Sequence, residues 1–313
     1  MVAPKDGKGS LNHGIGLSLV ATAFAHPLAY VKVLVQVGYE PLPPKKGKTF
    51  FGKDVLHLPG FFDYARYIKN DDGFSGLYRG LVPRVLHNFV SSSVTNAVCS
   101  RFQSAEEQSS DSEETDEEYE PPAIKTQSEF LIETLQLSIG KAAGVVISYP
   151  LHLISVRTMV QFVGKETQYN NLFSSVREIY QEEGIGGFFS GLVPQLLGEM
   201  LSFWVFRTLT YFIETYFGID EFSRSPSGRL YIQGLSQYVA SLLTFPFFLV
   251  TNMMAVNNSR LAAGNPPNMP IFNNWIDCWV YLSKEKLLRR GDSIIRRTMP
   301  IRPNAALQLA IAK

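Results

Sequence analysis

The chain repeats itself, and this limits its folds more than any other property. Phe24-Ala25-His26-Pro27-Leu28-Ala29-Tyr30-Val31-Lys32 returns as Ile147-Ser148-Tyr149-Pro150-Leu151-His152-Leu153-Ile154-Ser155, and a third copy runs from Leu243 through Pro246 to Asn257. A second block follows each of the first two copies. It reads Asp72-Gly73 and then Gly76-Leu77-Tyr78-Arg79-Gly80-Leu81-Val82-Pro83 in one, and Glu183-Gly184 and then Gly187-Phe188-Phe189-Ser190-Gly191-Leu192-Val193-Pro194 in the other. Two unrelated blocks in the same order, at a period of about 100 residues, mark an internal repeat.

The apolar pattern says what each unit builds. Five stretches, approximately 11–37, 82–102, 130–163, 192–217 and 231–256, reach the roughly 20 helical residues that cross a hydrocarbon core of about 30 Å. Tyr231 to Val256 holds no charged residue. Shorter amphipathic pieces, Phe61–Lys69, Leu172–Glu182 and Trp275–Lys284, are expected to lie along the interface; in the second, Leu172, Phe173, Val176, Ile179 and Tyr180 share one face. Each unit therefore predicts a long helix kinked at Pro27, Pro150 or Pro246, a surface helix, and a second span opening near Gly-Leu-Val-Pro. A proline inside a span frees a carbonyl that a packed bundle can satisfy, and one at a helix start costs little. The fold expected is an all-α membrane protein of three degenerate two-helix repeats: 1–103, then an acidic linker 104–125, then 126–222 and a truncated 223–313.

Charged residues make up 18% of the chain, below the roughly 25% of soluble domains. They are bunched into linkers, which keeps the mean hydropathy near zero. Ser104 to Glu120 holds nine acidic residues and no basic one, so self-repulsion predicts a disordered, solvated loop. A net charge of +1 without a basic, aromatic-studded surface speaks against nucleic acid as a partner. Cys99 and Cys278 stand far apart in unlike contexts and read as apolar filler. Met1–Ser10 has lysines but no arginine, so no cleavable targeting segment is expected. His13, His26, His57, His87 and His152 lie in different segments without metal-ligand spacing and read as isolated. With no phosphate loop or nucleophile elbow, no metal, no cofactor and no enzymatic activity are expected.

Polar residues inside the spans, among them Lys32, Asn88, Asn96, His152, Arg157, Glu199 and Arg207, are costly against lipid and should face an interior or a wet cavity.

With both blocks in view, the chain resembles the mitochondrial carrier family over nearly its whole length outside the acidic linker. That family's pattern is Pro-x-acidic-x-x-basic on each odd helix, then acidic-Gly-x4-aromatic-basic-Gly. The second block is intact in the first repeat and nearly so in the second, where Ser190 takes the basic place. In the third, Lys286 follows Glu285 where glycine is expected, and the spacing to Gly291 is shortened. The resemblance implies a bundle closed at one end by a ring of ion pairs between the acidic and basic places of the first block. Here the acidic places hold Ala29, His152 and Phe248, and the basic places hold Lys32, Ser155 and Thr251. A single charge survives, so neither the ring nor a transport gate is expected.

Pro300 should open a sixth spanning helix, yet only Ile301 to Lys313 follow. Thirteen helical residues span about 20 Å, too short to cross. A six-helix ring lacking a member would expose a lateral polar groove, assigned here to the second and fourth spans: Asn88, Ser91, Ser92, Thr95, Asn96, Glu199 and Arg207. The stretches from Tyr30 to Pro44, Met159 to Gly164, Met254 to Asn258 and Asn274 to Trp279 are similar to a divergent branch of the family. That likeness implies a multi-pass protein of the mitochondrial outer membrane that inserts helical and tail-anchored client proteins, moves lipids between leaflets of the bilayer and receives pro-apoptotic proteins.

Overall fold

A computed structural model describes residues 7–48, 52, 54–110, 127–216, 225–293 and 297–300. Eight α-helices follow one another among them: α1 Gly7–Val37, α2 Phe61–Gly76, α3 Leu81–Ser110, α4 Gln127–Val160, α5 Leu172–Gly187, α6 Leu192–Tyr216, α7 Pro226–Val256 and α8 Trp275–Lys284. Pro27, Pro150 and Pro246 sit inside α1, α4 and α7, each of which continues on both sides of its proline. Local signals set the ends. Ser225 accepts from the Gly228 amide at 3.0 Å with Pro226 in the first turn of α7, and Asn274 accepts from the Asp277 amide at 2.9 Å to start α8.

Among the described residues three spans are long and apolar enough to cross a membrane, Val20–Val37, Gln127–Val160 and Ser227–Val256; α6 passes only together with α5, bent from it by 71°. The second span expected from sequence, in α3, falls short. Arg84, His87, Asn88, the serines 91–93, Thr95 and Asn96 lower its hydropathy. A second correction concerns the acidic linker. Helix α3 continues to Ser110, so its first residues, Ser104–Ser110, are helical rather than disordered, and 111–126 lie outside the described residues. Pro300 belongs to a strand, Arg297–Pro300, and 301–313, on which the expected lack of a sixth spanning helix rests, lie outside the described residues.

The three units close into a ring through glycines. Gly80 has a φ of +77°, and a β-carbon there would stand 2.8 Å from the Ser155 carbonyl of α4. Gly191, at +88°, would meet the Thr251 carbonyl of α7 at 3.0 Å; Gly291, at +82°, would meet Gln36 of α1 at 3.0 Å and the Lys32 carbonyl at 3.6 Å. Each unit's second block thus docks on the next unit's proline helix, the third on the first, where only glycine offers both the backbone angle and the room. Around that axis Tyr30 and Leu34 of α1, Leu153 of α4, and Leu249 and Met253 of α7 form a buried apolar core.

The strands were not expected. β1 (Lys45–Lys48), β2 (Asp54–Leu58) and β3 (Arg297–Pro300) make one antiparallel sheet in that order, with Lys45 opposite His57 and Val55 opposite Pro300. Buried Arg297 pairs with Glu40, Tyr64 Oη donates to Glu40 Oε2 at 2.8 Å, and the guanidinium lies 5.9 Å over the Tyr64 ring. This cluster ties β3 to the loop after α1 and to α2.

Candidate functional site

All five long helices wall a cavity of about 1000 Å³. Several of its charged and polar groups are held by neighbouring groups. Lys141 of α4 pairs with Glu199 of α6 at 3.1 Å, and Gln195 Nε2 donates to Glu199 at 3.4 Å. His87 of α3 and His152 of α4 stand 5.4 Å apart between ring centroids, with His87 Nδ1 donating to the Ser148 carbonyl at 3.0 Å. The reading of these two histidines as isolated is therefore corrected: helices crossing at Gly144 bring together positions 65 residues apart in sequence. Among the described residues, no group of three or more His, Cys, Asp or Glu side chains is placed to hold a metal.

Five of the six positions of the first-block pattern converge. Ala29, Lys32, His152, Ser155 and Phe248 line the cavity. Ser155 Oγ donates to the Gly80 carbonyl at 2.9 Å, Thr251 Oγ1 to the Phe247 carbonyl at 3.0 Å, and the Lys32 ammonium lies 4.9 Å over the Phe245 ring. No ion pair joins any of these positions among the described residues. Hydroxyl-to-carbonyl bonds and apolar packing hold the places where opposite charges would attract.

Polar side chains line both ends of the cavity, with Leu242, Phe245 and Phe248 of α7 between them. Gln237 and Ser241, both exposed, line it towards the start of α7; Asn252 Nδ2 donates to Gln36 Oε1 at 2.7 Å lower down, and Asp292 completes that end. Gln237 and Asn252 are fifteen residues apart on one helix, about 22 Å at 1.5 Å per residue.

Of the seven residues assigned to a groove from sequence, Asn88 and Glu199 line the cavity. The others do not. Ser91 and Thr95 face the α3–α4 contact, where a β-carbon on Gly144 would fall 2.4 Å from Thr95 Oγ1 and 2.7 Å from the Ser91 carbonyl. Ser92 and Asn96 are exposed, and Arg207 is bound to Glu133 of α4 at 2.8 Å. Sequence reasoning chose α3 and α6 for their polarity, but much of that polarity is spent on helix pairing. It missed Lys141, Gln36, Asn252, Gln237 and Ser241. The available signal was Gln237 and Ser241, four apart on a span without charge.

Comparison with known proteins agrees with this architecture. A family model described as mitochondrial carrier protein matches residues 10–107 and 127–220; the degenerate third unit lies outside the match. Mitochondrial carrier homolog 2 of Homo sapiens is 43% identical over 284 residues, 89% of this chain and 91% of that protein. Mitochondrial carrier homolog 1 of Mus musculus is 39% identical over 301 residues, 90% of this chain and 75% of that protein. Mitochondrial substrate carrier family protein M of Dictyostelium discoideum is 22% identical over 304 residues, 94% of this chain and 90% of that protein. With both repeat blocks, the glycine-closed ring, spans that suit a bilayer and these relatives in agreement, the chain belongs to the mitochondrial carrier family and is a multi-pass mitochondrial membrane protein.

Proposed function

We propose that this protein works as an insertase of the mitochondrial outer membrane, taking α-helical and tail-anchored clients through the polar cavity, with phospholipid movement between leaflets as a second use of the same path. The observation behind this reading is the polar lining at both ends of the cavity, Gln237 and Ser241 at one and Gln36, Asn252 and Asp292 at the other, with Gln237 and Asn252 about 22 Å apart along α7, a length comparable with a hydrocarbon core of about 30 Å. A charged residue at the bilayer centre costs about 2.5–3.5 kcal/mol on insertion scales. Hydroxyls, amides and the Lys141–Glu199 pair lower that cost for a client's polar flank as it passes.

Gated solute transport is disfavoured on the same geometry. An alternating gate needs contacts that form in one state and break in the other. The first-block positions instead hold packed side chains and bonds to the backbone, next to an apolar core that buries Leu153 and Leu249 completely.

The test is Gln237→Leu together with Ser241→Leu. Both side chains are exposed, so the fold should tolerate the exchange. In proteoliposomes, insertion of a tail-anchored client is expected to fall about tenfold while the melting temperature stays put. Insertion at the parent rate overturns the assignment, as would counterflow of a labelled metabolite driven by the parent protein.

A further inference from the structure

A second cavity, about 410 Å³, lies between α2 and the sheet and shares no lining residue with the first. Its size falls within the roughly 300–1,000 Å³ of small-molecule sites. Lys45 and His57 are directly opposed across β1 and β2, which places both side chains on the sheet face that looks at α2. A β-carbon on Gly47 would stand 2.2 Å from the His57 ring, so the imidazole lies against β1. From α2, Asp63, Arg66, Tyr67 and Asn70 share one helical face and complete the pocket. Tyr67 is fixed by its hydroxyl contact with Tyr39 at 3.2 Å and by an edge contact with Phe162. Leu42, Pro43, Leu58 and Pro59 supply an apolar wall.

Many cations elsewhere in the molecule are neutralised. Arg79, Lys141, Arg157, Arg207 and Arg260 all sit in ion pairs. Lys45, Arg66 and Asp63 converge on one pocket, yet none has a hydrogen-bond or ion-pair partner among the described residues. Two cations and one anion, with an apolar wall, match a ligand of two anionic groups, one cationic group and an apolar body. The pocket adjoins α2, whose Phe62 and Phe74 are strongly exposed, as an interfacial helix requires.

We propose that this pocket binds the headgroup of an anionic aminophospholipid of the phosphatidylserine type. Its phosphodiester and carboxylate lie between Lys45 and Arg66, its ammonium on Asp63, and its glycerol backbone along Pro43, Pro59 and Tyr67. The site is independent of the insertion path.

The full-length protein in detergent micelles would be titrated calorimetrically with dihexanoyl phosphatidylserine, phosphatidylglycerol and phosphatidylcholine, and with soluble glycerophosphoserine. Phosphatidylserine is expected to bind at least fivefold more tightly than phosphatidylglycerol, which lacks the amine, and phosphatidylcholine not at all. Lys45→Ala with Arg66→Ala should weaken phosphatidylserine at least tenfold. Asp63→Asn should shrink its advantage over phosphatidylglycerol to under twofold. All three positions are exposed, and an unchanged melting temperature separates lost binding from lost fold. Equal affinity for the two anionic lipids, or a double variant that binds as before, overturns the proposal. Glycerophosphoserine binding as tightly as the lipid overturns the lipid assignment, and loss of binding in Gln237→Leu/Ser241→Leu instead would place the lipid in the central cavity.

Discussion

Arg157 belongs to a helix apolar enough to cross a bilayer, yet its side chain has no exposed surface. It is satisfied on three sides: Glu183 at 2.6 and 2.9 Å, the Ala255 carbonyl at 2.8 Å and the Tyr169 hydroxyl at 3.3 Å. Removing Glu183 would strand a buried cation, at about 3 kcal/mol by the behaviour of broken buried pairs. Glu183→Ala should therefore lower the thermal midpoint in detergent clearly, and a shift of under a degree would contradict this. Sequence flagged Arg157 as costly but could not name its partner, which stands 26 residues on and meets it only when α5 folds back. Cys278 in surface helix α8 gives a chemical readout. Burial pushes its thiol up to about 12, so at pH 8 almost no thiolate forms, and the thiolate is the reactive species. Alkylation followed by mass spectrometry should leave Cys278 unmodified until the protein is denatured. Labelling of Cys278 in the folded protein would show the site to be open.

At the scale of elements, helix pairing explains where α3 spends its polarity. Gly140 and Gly144 of α4 lie four apart, against Cys99, Thr95 and Ser91 of α3, the close approach that small residues permit in membranes. Gly144→Leu has no room and should cost about 2 kcal/mol, the range of overpacked cores; an unchanged melting temperature would place α3 elsewhere. A second element-level prediction comes from the decayed third unit. Lys286 takes a φ of +58° where the first two units have Gly73 and Gly184 at +75° and +68°. Non-glycine residues pay about 1–2 kcal/mol there, so Lys286→Gly should stabilise by about 1 kcal/mol in the same assay. The helices were legible because apolar period and proline offsets are local signals. The sheet was not: β1 is four residues, three of them lysine, and β3 pairs with it only through β2, from the far end of the chain.

The whole molecule is a ring whose seams differ in kind. Glycine closes α3 on α4, and Gly198 lets α6 approach Phe247 of α7. Between α4 and α6 two ion pairs run as a ladder, Glu133–Arg207 and Lys141–Glu199, eight residues apart on each helix with the charges exchanged. The α1–α7 side holds instead the Gln36–Asn252 amide pair beside the polar cavity. The sheet anchors that side from outside the bundle. Arg297→Ala should therefore cost about 2 kcal/mol, less than the 3–5 kcal/mol of fully buried pairs because Glu40 remains partly exposed. Hydrogen exchange should then quicken in β1 and β2 while α4 stays protected; uniform protection would show β3 to be dispensable. The repeat, the proline helices and the replacement of the charged pattern at Ala29, His152, Phe248, Ser155 and Thr251 are legible along the chain, since each is written in residue identity at fixed offsets. That Ser91, Thr95 and Arg207 serve helix pairing, and that Gln237, Ser241 and Asn252 line the cavity, emerges from the packed helices alone. Which way a polar side chain turns depends on which neighbour comes close enough to bind it, and that contact joins residues far apart along the chain.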